Sequence, residues 1–110
     1  IPSLEIVEQM AFNLFQHLPY ASQKAFEWIS SDKEFYQVCG YHVLSRLFLK
    51  YGGLNNRAED EFLDQVQVAL KDKSISVKHA ALACLQRYAD LGNREEQQAM
   101  SIFNSNNIDF

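Results

Sequence analysis

The chain has 110 residues, of which 47% are hydrophobic and 22% charged, and its formal net charge is −4. That length fits one domain, and the apolar content excludes disorder over the whole chain. Four glycines and two prolines are too few for an all-β fold, which needs a turn about every 8–12 residues. The acidic balance argues against strong non-specific attraction to phosphate backbones. It averages over surfaces, however, and leaves room for a local basic face.

Cys39 and Cys84 both sit inside apolar helical patterns, without a second Cys or a His at metal-ligand spacing. They read as buried free thiols, so no metal and no disulfide framework is expected. No apolar run approaches the ~18 residues of a membrane span, and no signal-peptide pattern is present. The expectation is a cytoplasmic protein with no membrane partner. The chain begins at Ile1 and enters a helix almost at once, which suggests part of a longer protein.

Ser3 caps a first expected helix with Leu4, Val7, Met10, Ala11, Leu14, Phe15 and Leu18 on one face, ended by Pro19. A second runs from Ala21 to Ser30, with Ala25, Phe26, Trp28 and Ile29 inward; Trp28 is expected in the core. Ser31-Asp32-Lys33-Glu34 reads as a capping box for a third helix that reaches Tyr51. Its apolar positions are too broad for one stripe, so it is expected to be buried on two sides. Gly52-Gly53 stops it.

Asn55 and Asn56 offer caps for a fourth helix, whose acidic start and basic end suit the helix dipole. Ser74 opens a fifth, closed by Gly92, and Asn93 with Glu96 resembles a cap for a sixth that carries Ala99, Met100, Ile102 and Phe103. Residues 1–103 form the expected domain, and 104–110 a frayed polar tail. Trp28 through Phe48 can be laid over Ala69 through Ala89 at an offset of about 41 residues, a HEAT-like period. In that overlay Leu44 falls on Leu85 and Arg46 on Arg87, and the small pair Cys39-Gly40 falls on Ala80-Ala81, where two helices can approach closely. The expected fold is therefore an all-α, HEAT/armadillo-like α-solenoid of about six antiparallel helices, which bury their apolar faces by stacking.

Chemistry-bearing residues are sparse. His17, His42 and His79 are far apart, no phosphate loop is present, and no Ser-His-Asp or Cys-His arrangement is evident. Glu5 and Glu8, one helical turn apart, share a face. They are also what a helix N-terminus favours.

The stretch Glu8-Gln9-Met10-Ala11-Phe12-Asn13-Leu14-Phe15, then Leu18-Pro19-Tyr20-Ala21 and Lys24-Ala25-Phe26-Glu27-Trp28, resembles the bacterial DNA alkylation repair (AlkD-like) HEAT-repeat family. Agreement continues through Glu34-Phe35, Gly40-Tyr41, Asp60-Glu61-Phe62 and Val77-Lys78, and covers Leu4 to Phe103, the C-terminal half of a family member. The resemblance implies a concave, basic DNA groove and hydrolysis of the bond joining an alkylated purine to its sugar, with a carboxylate stabilising positive charge on the sugar.

The family carries a Trp, an adjacent Asp and a catalytic Asp one turn further on. These positions fall on Leu4, Glu5 and Glu8. The family's Arg early in the third helix falls on Val38, a Trp in the fifth helix on Ala83, and the Arg near it on Gln86. The carboxylate is kept, while stacking and phosphate-binding groups are replaced. The leading reading is a catalytically degenerate binding scaffold for a protein or peptide partner. The alternative is a DNA glycosylase or lesion-binding protein acting on damaged DNA, with Glu8 catalytic and Lys78, Arg87, Arg46 and His79 facing the nucleic acid. Lys78, Arg87 and Arg46 are equally well read as solvated helix faces. Neither reading calls for a metal or a cofactor.

Overall fold

The computed structural model describes residues 18–106 and residue 108. Among these residues the chain forms five α-helices and no strand: α1 (Leu18–Ile29), α2 (Glu34–Tyr51), α3 (Asn56–Asp72), α4 (Ile75–Ala89) and α5 (Asn93–Ser105). The all-α class read from the periodicity holds for them. The first expected helix, with Glu5 and Glu8, lies outside the described residues. α1 already includes Leu18 and Pro19; a proline is tolerated in a first turn, where its missing N–H has no helical partner to lose.

α1 buries Ala21, Ala25 and Ile29, a stripe one turn apart at each step. The small side chains let α2 close in at Gly40. A β-carbon there would stand 2.7 Å from the Ala25 carbonyl oxygen and 2.9 Å from the Ile29 amide nitrogen. Trp28 is a correction to the sequence reading. It is only partly buried, packed on the rim of the core with its ring edge-on to Tyr36 at 6.2 Å. Its stripe position places it beside the α1–α2 corner, where the covering helix begins.

α2 buries Gln37, Cys39, Gly40, Tyr41, Val43, Leu44, Leu47 and Phe48, which leaves one exposed strip, as its broad apolar pattern required. It ends at Gly52, whose left-handed φ of 82° lets its N–H reach the Phe48 carbonyl. The expected capping box is not formed. Ser31 Oγ accepts from the Lys33 amide at 3.1 Å, Lys33 takes the cap position, and Gln37 Nε2 donates to the Ser31 carbonyl. Glu34 instead accepts from the Ser74 hydroxyl at 2.7 Å, a partner 40 residues away. A tertiary bond has displaced the local one.

Asn55 caps α3 by accepting from the Ala58 amide, and Ser74 caps α4 by accepting from the Val77 amide. α5 has Gly92 at its cap position with no side-chain bond, so Asn93 is its first helical residue rather than its cap. α5 continues past Phe103 to Ser105, and the Ile108 amide donates back to the Phe103 carbonyl at 2.8 Å.

α2 and α4 pack side by side and run in the same direction. Their N-terminal ends meet at Glu34 and Ser74, and their C-terminal ends at Phe48 and Tyr88, with ring centroids 5.8 Å apart. Phe62 of α3 closes an aromatic triangle, 5.2 Å from Phe48 and 5.5 Å from Tyr88. α1 packs on α2, while α3 and α5 pack on α4. On their outer sides α2 and α4 expose Phe35, Arg46 and Leu49, and His79, Ala83 and Arg87.

Candidate binding face

On α2 the exposed strip carries Phe35, Val38, Arg46 and Leu49; Phe35 is 37% and Leu49 60% exposed. On α4 the outward positions are Ser76, His79, Ala83 and Arg87. The strips adjoin at their N-terminal ends, where Phe35, Val38, Glu34 and Ser76 line an open groove of about 300 Å³. Helix geometry explains this selection. Ser76, His79, Ala83 and Arg87 recur at steps of three and four residues on the side of α4 away from Val77, Ala81, Cys84 and Tyr88, which it buries.

Of the four side chains expected to face nucleic acid, Arg46, His79 and Arg87 are exposed on these outer strips. Lys78 is not with them. It lies about two and a half turns from Arg87, which puts it on the opposite border of α4, half-buried. Glu8 lies outside the described residues. Val38 and Ala83 also belong to the outer strips.

Charge is segregated between the helices. α4 carries Lys78 and Arg87 and is capped by the exposed Asp90, and α2 carries Arg46 and Lys50 against Glu34, whose carboxylate accepts from the Ser74 hydroxyl. α3 exposes Asp60, Glu61 and Asp64. A second open groove, of about 390 Å³ and lined by Phe26, Glu27 and Glu61 among others, opens between α1 and α3 on this acidic side. The negative balance of the chain is thus carried more by α3 than by α2 and α4.

Among the described residues one carboxylate, Glu59, is drawn into the core. It is buried and forms a two-pronged pair with Arg94, at 2.9 and 2.8 Å. That pair holds its carboxyl below the usual range, against a weaker upward push from burial. Arg94 also meets Glu95 at 2.8 Å. The Tyr88 hydroxyl faces the same carboxylate without completing a well-formed hydrogen bond; burial, and then the adjacent negative charge, raise its pKa. With both its oxygens taken by Arg94, Glu59 ties α3 to α5 and is not free for a substrate. Its inward position was readable, since Glu59 shares the stripe of Phe62 and Val66, but three consecutive acids masked it as dipole-favoured charge.

Both cysteines are buried, as expected. Burial pushes the Cys84 thiol up to about 12 and raises Cys39 as well, so neither is poised as a nucleophile. Among the described residues no group of three or more His, Cys, Asp or Glu can hold a metal ion, and no helix is long and apolar enough to cross a membrane. Comparison of the chain with protein-family models, with curated proteins and with solved structures found no match.

Proposed function

We propose that the chain is a HEAT-like helical-repeat domain, akin to the DNA alkylation repair proteins it resembles, that serves as a binding scaffold and has lost glycosylase activity. The observation that carries this reading is the outer α2–α4 face, where exposed Phe35 and Leu49 stand among Arg46, His79 and Arg87. Two parallel helices joined through residues 40 apart, at Glu34 and Ser74, are close to the period of about 41 residues seen in the sequence, which supports stacked repeats. Loss of the catalytic role rests on the substitutions. At Val38 and Ala83 the face offers neither a phosphate-binding guanidinium nor a stacking ring, and such a ring contributes about 1–3 kcal/mol per base.

The test is base release from a duplex carrying a positively charged alkylated purine, compared with spontaneous depurination. The expected result is release at the spontaneous rate. Release above that rate, abolished in Glu8→Gln, would restore the glycosylase reading. A second reading, lesion or duplex binding without catalysis, draws on the exposed Arg46 and Arg87 with His79 beside them; lesion-selective binding that weakens with salt would favour it.

A further inference from the structure

We draw no further inference here: the strongest candidate, the open groove between α1 and α3 lined by Phe26, Glu27 and Glu61, pairs its Glu27 with Lys24 at 3.3 Å and sets Glu61 one turn from exposed Arg57, so nothing in the structure shows what covers it.

Discussion

At the scale of single residues, Gly40 and Glu59 hold positions that no other side chain fills equally well. Replacing Gly40 by Ala gains about 1 kcal/mol of helix propensity. It also drives a methyl group against the Ala25 carbonyl and the Ile29 amide, both backbone atoms that cannot rotate aside. Overpacking of this kind costs about 1–3 kcal/mol, so Gly40→Ala should be destabilising in urea unfolding. An unchanged or raised midpoint would mean that α1 does not close on α2 there. For Glu59 the folded pKa lies below the ordinary 4.5, so the carboxylate contributes stability that is complete above that pH and lost as the pH falls through the lower folded value. The wild-type melting temperature should therefore drop more steeply below pH 4.5 than that of Glu59→Gln, which starts less stable at neutral pH. Parallel acid limbs would show that the Arg94 pair contributes nothing. The sequence identified Gly40 as a site of close approach and Cys39 and Cys84 as buried. It misplaced Trp28, because a stripe tells which way a side chain points and not how far the covering helix extends.

At the scale of elements, two caps of similar chemistry should differ in weight. Asn55 satisfies one amide of α3, and Asn55→Ala should cost about 1 kcal/mol. Ser74 satisfies an amide of α4 and donates to Glu34 of α2, so Ser74→Ala removes a cap and a tie between helices together. Its cost should exceed that of Asn55→Ala by about 0.5–1.5 kcal/mol, the worth of one added hydrogen bond. Equal losses in denaturant titrations would show that the Glu34 bond is idle. Most helix ends were legible because Gly52, Asn55 and Ser74 act locally. The capping box at Ser31 failed for the opposite reason. Glu34 had a better partner 40 residues away, and no local pattern announces a tertiary acceptor.

At the scale of the whole molecule, the segregation of charge could be read only in part from the sequence. The run of acids that opens α3 and the bases Lys78 and Arg87 of the fifth expected helix are plain in the chain. Their meaning depends on α2 and α4 lying side by side, which brings Arg46 and Arg87 to one layer while helical phase carries Lys78 to the other border. Net charge hid this face, and periodicity alone could not say which exposed strips adjoin.

The proposed face depends on α2 and α4 packing in parallel at this register, and one spectrum tests it. The Phe48 ring of α2 lies 5.8 Å, centroid to centroid, from the Tyr88 ring of α4. In a two-dimensional NOE spectrum of the folded protein their ring protons should share a cross-peak, and the Phe62 ring should share one with each. Absence of the Phe48–Tyr88 cross-peak, with both rings assigned, would contradict the packing from which the binding face is built.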